Sequence, residues 1–252
     1  MLKWLKRILG SHDNDQVLVW LPCDAPDPTR YGIAPPGSEE DVNSQLAWIE
    51  AGPDTFAVPV VDCRSITRGI VSTAQDQQTL DGYVALRKDT GESLRAEHPE
   101  DARIAPCDLR YPFELGATTL PTGRRYSSRR LEYKWDIAHW DGHLLFSRSW
   151  TGVLIYRARF VIAGDELRIE EVEGTAATDD PVGGPRFDVA AVDFLVRALL
   201  LNTIVPHPVP DLFENRLRMI AMWSFKFFGC DARFGYVLKE GDGSRGPTRG
   251  CS

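Results

Sequence analysis

The pattern of apolar and polar positions is clearest between residues 129 and 173, where it has the two-residue period of β-strands. Asp141-Gly142 interrupts this stretch, and both residue types tolerate the positive φ of a tight hairpin turn. Counting outward from the turn pairs Trp140 with His143, Trp135 with Arg148 and Tyr133 with Trp150. Because strand side chains alternate, one face of the hairpin is predicted to carry Tyr133, Trp135, Ile137, His139, Leu144, Phe146, Arg148 and Trp150.

Two further strands, Val153–Ile162 and Leu167–Val172, are predicted to extend the hairpin into an antiparallel meander. Apolar segments follow the meander. Asp188 is placed to cap a helix that runs to Asn202, and Leu212–Phe228 has the period of a second helix. The sequence therefore predicts an α+β fold, in which the antiparallel sheet around 129–173 packs against C-terminal apolar helices in a single domain, 17–238.

The helix predicted after Asp188 is apolar enough to raise the question of a membrane span. Asp193 and Arg197 interrupt it with the i,i+4 spacing of an ion pair. This pattern favours a core helix with one wet edge and predicts no integral membrane span.

The first residues, 1–10, are predicted to form a separate amphipathic helix. Trp4, Leu5 and Ile8 share one side of it, and Lys3, Lys6 and Arg7 lie on the other. We expect the apolar side to dock on the protein or on a partner, with anionic lipid as the alternative. Other predicted elements are a strand at Val17–Leu21, a helix from Ser38 to Gly52, a strand at Thr55–Val61, a helix at Gln75–Arg87, a stiff connector at 206–210, a strand at Phe234–Leu238 and a disordered tail, 239–252.

Composition narrows the function classes only modestly. The apolar and charged fractions, 43% and 26%, are those of ordinary globular proteins, and the formal net charge of −7 opposes general affinity for nucleic acid or anionic membranes. The five cysteines are scattered and lack the spacing of a metal site or a disulfide framework. The sequence thus predicts a cytoplasmic protein in a reducing compartment, with no bound metal and no cofactor.

Arg148 is the most informative polar residue, because the predicted register puts its charge on an aromatic face. Its guanidinium would either stack on the rings of Trp135 and Trp150 as a structural clamp or meet an anionic ligand. Asp136, His139, Asp141 and His143 cluster near the hairpin tip, which suggests metal binding or acid–base work. However, His139 and His143 are predicted on opposite faces, so ordinary turn contacts are the favoured interpretation.

A second local feature is basic. Tyr126 and Tyr133 interleave with a run of cations, as in a nucleic-acid surface: Arg124, Arg125, Arg129, Arg130 and Lys134. A solvated strand edge whose charges oppose aggregation explains the run better, and no nucleic-acid partner is predicted.

The string Arg148-Ser149-Trp150-Thr151-Gly152 resembles a short motif of uncharacterised bacterial cytoplasmic proteins. The resemblance covers one hairpin and implies no activity.

Two functions remain open. The first is a non-catalytic interaction protein, such as a bacterial immunity or accessory protein that binds a toxin or effector. The alternative is a binding protein or hydrolase for a small anionic ligand, with a pocket near Trp135, Arg148 and Trp150. A concave pocket open to Arg148 would favour the alternative, and a flat acidic surface would favour the first. The candidate binding residues are Arg148, Trp135, Trp150, Tyr133, Asp136 and His139.

Overall fold

A computed structural model describes residues 46–70, 77–86, 88–113, 120–175, 184–213 and 216–239. Within these ranges, ten strands form two sheets, and four α-helices accompany them. The predictions for residues 1–10, for the strand at Val17–Leu21 and for residues 240–252 lie outside the described residues.

The larger sheet has six antiparallel strands in the order β3-β8-β7-β6-β5-β4. They are β3 (Arg103–Pro112), β4 (Gly123–Tyr126), β5 (Trp135–Trp140), β6 (His143–Arg148), β7 (Leu154–Ala163) and β8 (Glu166–Gly174). The last four strands form the predicted meander, and the predicted α+β class is confirmed.

The β5–β6 hairpin turns at Asp141-Gly142, whose φ angles of 49° and 72° are the positive values that the sequence indicated. Trp135 pairs with Arg148, and Trp140 pairs with His143, so the predicted register is confirmed along both strands. The predicted pairing of Tyr133 with Trp150 is wrong. The chain turns at residues 149–152, and Tyr133 instead forms a β-bridge with Gly229.

The smaller sheet has the order β1-β2-β10-β9, in which only β10 and β9 are parallel. Its strands are β1 (Trp48–Ile49), β2 (Val60–Asp62), β9 (His207–Pro210) and β10 (Phe234–Leu238). The helix predicted from Ser38 to Gly52 is wrong at Trp48–Ile49, because pairing with β2 overrides the local pattern; residues 38–45 lie outside the described ranges. The predicted connector at 206–210 contains an edge strand, a position that tolerates Pro208 and Pro210.

The helices are α1 (Arg64–Thr67), α2 (Gln77–Leu86), α3 (Pro185–Leu195), which continues as the π-helical turn Val196–Leu200, and α4 (Leu217–Phe228). The predicted Asp193–Arg197 pair is present, with 2.8 Å between Nε and Oδ1. The predicted cap is wrong: α3 begins after Gly184, and Asp188 lies inside its first turn, where it pairs with Arg103. No helix in the described ranges has the length and apolarity to cross a membrane.

The core lies between the inner face of the larger sheet and helices α3 and α4. Trp135, Phe146 and Ile169 from the sheet pack in one cluster with Leu195 of α3 and Phe228 of α4. Each of these five side chains is almost fully buried. This packing fixes α4 across the ends of β5 and β6, which is where the candidate site lies.

Candidate functional site

A groove of about 900 Å³ runs beside α4, between the 3₁₀ turn Asp211–Phe213 and the chain that flanks β5 and β6. Seven of its lining side chains are apolar, four are basic and one is a threonine. In chain order they are Lys134, Arg148, Trp150, Thr151, Leu212, Phe213, Arg218, Met219, Met222, Trp223, Phe225 and Lys226. No carboxylate belongs to this lining within the described part of the chain, so the groove is apolar and positively charged.

Arg148 forms part of the groove floor. Its guanidinium carbon lies 4.4 Å from the ring centroid of Trp135 and 4.5 Å from that of Phe227. One guanidinium nitrogen donates to the Phe227 carbonyl at 2.6 Å, and that carbonyl also accepts from the Trp135 indole N–H at 2.9 Å. The arginine therefore fastens the end of β6 to the C-terminal turn of α4. Of the two predicted alternatives, a structural clamp and an anion site, this stacked arrangement is the clamp.

Lys134 stands next to this clamp. Its Nζ lies 4.6 Å from the Trp150 ring and 5.0 Å from the Phe225 ring, and it donates to the Leu131 carbonyl at 3.0 Å. Desolvation lowers the pKa of Lys134, and the nearby charge of Arg148 lowers it further, whereas Glu132 raises it. An anion placed here would relieve the repulsion between the two cations.

The outer wall of the groove leaves unusually large apolar side chains in contact with solvent. Leu212 is 40% exposed, and Met219 and Met222 are each 46% exposed. Arg218 and Lys226, which flank the methionines along α4, are also exposed. Methionine is flexible and polarizable, so this wall can adapt to the shape of an apolar ligand.

The structure brings only some of the predicted site residues together. Arg148 and Trp150 line the groove, and the Trp150 indole N–H donates to the Leu131 carbonyl at 2.7 Å. Trp135 lies beneath Arg148 with 1% of its surface exposed, so it supports the floor without facing the groove. Tyr133 is partly exposed and is not part of the lining; its carbonyl accepts a hydrogen bond from the Ser149 hydroxyl.

Asp136 and His139 lie away from the groove. Asp136 is 2% exposed, pairs with Arg124 at 2.9 Å and accepts the Ser128 N–H at 2.8 Å, which gives it a structural role. The His139 ring packs on Phe160, and its Nδ1 lies 3.0 Å from the Pro121 carbonyl. Burial lowers the pKa of His139, which favours its neutral form.

The sequence reasoning missed the α4 side chains that form the outer wall. Arg218, Met219, Met222 and Lys226 follow the spacing of one helical stripe, and this spacing could have been read from the sequence. Such a stripe is ordinarily interpreted as buried when it contains methionine. Only the position of α4 across the hairpin shows that its other side fills the core.

A second polar cluster is buried in the core and is not a candidate site. The Ser224 hydroxyl donates to the Ile220 carbonyl, and the His207 Nε2 lies 2.7 Å from the Ser224 Oγ, so the nitrogen is the donor in this pair. His207, Ser224 and Cys63 are all inaccessible to solvent. Burial lowers the pKa of His207 to about 3 and raises that of Cys63 to about 12, which leaves both groups neutral. A substrate has no route to them.

The described residues contain no group of three or more His, Cys, Asp or Glu side chains arranged to hold a metal ion. Comparison with protein-family models, curated proteins and solved structures finds no match for the chain. The groove is therefore the feature of the described residues that points to a function.

Proposed function

We propose that the protein is a non-catalytic binding protein whose groove takes an anionic amphiphile, that is, a molecule with an apolar body and a carboxylate or phosphate head. The observation that carries this proposal is the composition of the groove: seven apolar side chains and four cations, with no acid in its described lining. Apolar walls with a few placed charges are typical of small-ligand sites, and about 900 Å³ lies within their usual size.

The charges are distributed unevenly along the groove, which suggests an orientation for the ligand. Lys134 and Arg148 stack on rings from the C-terminal half of α4, and Lys226 belongs to the same half. Leu212 and Met219 lie toward the other end, where Arg218 is the cation. The head would therefore meet the three-cation end, and the apolar body would run along the methionines.

The groove offers binding groups rather than an acid–base pair. Its described lining contains no His, Asp, Glu or Cys, and Arg148 is engaged in the clamp. General acid–base catalysis needs a titratable group within hydrogen-bond reach of the substrate. Lys134 suits an anion-binding role, because a bound anion would offset the desolvation and the Arg148 charge that lower its pKa.

The test is a titration with soluble amphiphiles that share a chain length and differ in charge. Dodecanoate and dodecyl phosphate should quench or shift the fluorescence of Trp150 and Trp223, which both line the groove. Dodecyltrimethylammonium should bind at least about tenfold more weakly, because the cations of the groove would repel its positively charged head. Calorimetry on the same solutions gives the stoichiometry, for which we expect one ligand per chain.

Two variants with matched chemistry locate the binding. Met222→Glu places an acid inside the groove and should abolish dodecanoate binding, whereas Ile104→Glu introduces the same acid at a position of β3 that is 58% exposed and should leave binding unchanged. Equal affinity for the anionic and cationic amphiphiles, or equal loss in the two variants, would contradict the proposal.

A second candidate function is the non-catalytic interaction protein, for example a bacterial immunity or accessory protein. The exposure of Leu212, Met219 and Met222 favours it, because adaptable methionine surfaces commonly receive an apolar helix face. The flanking cations would select a partner helix with acidic residues. Such a partner would compete with dodecanoate, and a partner that binds without competing would use a different surface. The cytoplasmic location and the reducing compartment stay predictions.

A further inference from the structure

We infer that the outer wall of the groove docks on an anionic lipid surface, through the exposed stripe of α4 and the neighbouring Leu212. This inference rests on the proposed function, because it names the source of the anionic amphiphile: a lipid presented by a membrane rather than a molecule free in solution. Four observations carry it, namely the geometry of the stripe, its exposed apolar surface, its charge and the groove that opens beside it.

The exposed positions of α4 form one stripe. Arg218, Met219, Met222 and Lys226 are exposed, whereas the other residues between them are buried. At roughly 100° per residue, these four positions fall within an arc of roughly 100°. Between Arg218 and Lys226 the helix rises about 12 Å, so one cation stands at each end of a methionine pair. The stripe therefore combines exposed apolar side chains with flanking cations, the two contributions that bind a protein surface to an anionic lipid interface.

The apolar side chains of this stripe are positioned to enter a lipid interface. Met219 and Met222 keep 46% of their surface exposed, and Leu212, from the adjoining 3₁₀ turn, keeps 40%. A ligand bound inside the groove would cover their inner sides only. A lipid surface would cover the outer sides as well, and the long stems of Arg218 and Lys226 could lie along the acyl region while their charges stay at the headgroups.

The charge of the stripe opposes the charge of the whole protein. The chain has 36 acidic residues and 29 Lys and Arg, a net charge of −7, which opposes a general attraction to anionic lipid. The stripe has two cations and no acid, and Lys134 lies at the groove behind it. Binding through this surface would fix the orientation of the protein, with the net negative remainder of the chain directed away from the lipid.

The groove beside the stripe distinguishes this surface from an exposed apolar patch that has no ligand site. Trp150, Trp223 and Phe225 line the groove, and Lys134 and Arg148 lie at its cationic end. A single acyl chain that leaves the lipid surface could enter along the methionines, with its head held by these cations. Docking and ligand uptake would thus occur at the same place.

Vesicle co-sedimentation of the full chain tests the inference. We expect binding to vesicles with roughly one third phosphatidylglycerol and no binding to pure phosphatidylcholine, and an increase from about 0.1 M to about 0.5 M NaCl should weaken it severalfold. Arg218→Gln and Lys226→Gln should each weaken the vesicle affinity by about fivefold, the effect of one cation near an anionic surface. Arg159→Gln, a side chain 43% exposed on β7, is the matched control and should change nothing.

The apolar contribution has its own pair of variants. Met219→Ser together with Met222→Ser should abolish vesicle binding, whereas Ile104→Ser on β3 should not. Residues 1–10 stay in every protein, so the basic amphipathic helix that their sequence predicts is common to all variants and contributes no difference between them. Vesicle binding that is unchanged in the methionine and cation variants would show that another part of the chain contacts the lipid, and it would overturn the inference.

Soluble dodecanoate, measured on the same protein samples, separates the two proposals. A protein that binds dodecanoate in solution but does not sediment with anionic vesicles keeps the proposed function and refutes lipid docking. A protein that binds neither refutes both proposals. Equal sedimentation with phosphatidylcholine and with phosphatidylglycerol vesicles would also refute the inference, because it would show that the cations do not select the surface.

Discussion

Replacement of Arg148 by methionine should lower the stability of the protein more than it lowers the intrinsic affinity of the groove. Methionine keeps most of the apolar stem of the arginine but removes the charge and the planar guanidinium. The wild-type group stacks between Trp135 and Phe227 and donates to the Phe227 carbonyl at 2.6 Å. The two contacts with Phe227 join the end of β6 to the last turn of α4, and the contact with Trp135 joins β6 to β5.

The magnitude follows from those contacts. Two stacked rings at a partly exposed site contribute about 0.5–1 kcal/mol each. The lost hydrogen bond contributes about 1 kcal/mol, and no further penalty arises because the Phe227 carbonyl still accepts the Trp135 indole N–H. The free energy of unfolding should therefore fall by about 2–3 kcal/mol. For a chain of this length, the melting temperature should fall by about 4–12 °C.

Urea and thermal denaturation measure this change, and a double-mutant cycle with Phe227→Leu isolates the contact between the two residues. We expect a coupling free energy of about 0.5–1 kcal/mol between Arg148 and Phe227. Arg148→Lys should recover less than half of the lost stability, since an ammonium group cannot stack and donate as the planar fork does. A free energy of unfolding within about 0.5 kcal/mol of wild type would refute the structural role. Collapsed dodecanoate binding in a stable Arg148→Met protein would show that Arg148 acts mainly in ligand recognition.

Two further predictions concern the buried histidine and the hairpin turn. The pKa of His207 is about 3 in the folded protein, below its value in the unfolded chain. The contribution of the neutral imidazole to the free energy of unfolding is therefore complete above about pH 6.5 and is lost as the pH falls. At about pH 5 this loss is about 2 kcal/mol. The free energy of unfolding in urea should depend less on pH in His207→Gln than in wild type. An equal pH dependence would contradict the assignment of this loss to His207. Gly142→Val should lower the free energy of unfolding by about 1–2 kcal/mol, because Gly142 has a φ of 72°. Thermal melts of Gly142→Val that coincide with wild type would show that the turn adapts.

The hairpin was predictable because its information is local. The turn residues Asp141-Gly142 fix the register, and each pair up to Trp135 and Arg148 follows by counting. The i,i+4 pair Asp193–Arg197 was predictable for the same reason. Counting failed at Tyr133 and Trp150, where the backbone of Tyr133 pairs with Gly229, a residue 96 positions further along the chain. A hydrogen-bonding partner at that distance leaves no trace in the local pattern.

The groove could not be predicted from either of its walls alone. One wall consists of residues near 134 and 148–151, and the other consists of residues 212–226. Their proximity depends on where α4 packs against the sheet, which the core contacts of Phe227 and Phe228 determine. Sequence reasoning found Arg148 and Trp150, but it also selected Asp136 and His139. Those two belong to the same hairpin, yet one is held in a buried ion pair and the other is buried beside Phe160.

The exposed methionines are best explained by binding and not by folding. The inner side of α4 already anchors the helix through Phe227 and Phe228, both nearly fully buried. About half of the surface of Met219 and Met222 remains in water, where it adds nothing to the core, and a polar residue would serve solubility better. In a chain with seven more acids than Lys and Arg, the charged neighbours of the pair on this stripe are nevertheless cations, Arg218 and Lys226. The stripe is thus apolar at positions where an exposed helix face is ordinarily polar, and it is basic although the chain as a whole is acidic. Both features favour an anionic amphiphile as the ligand.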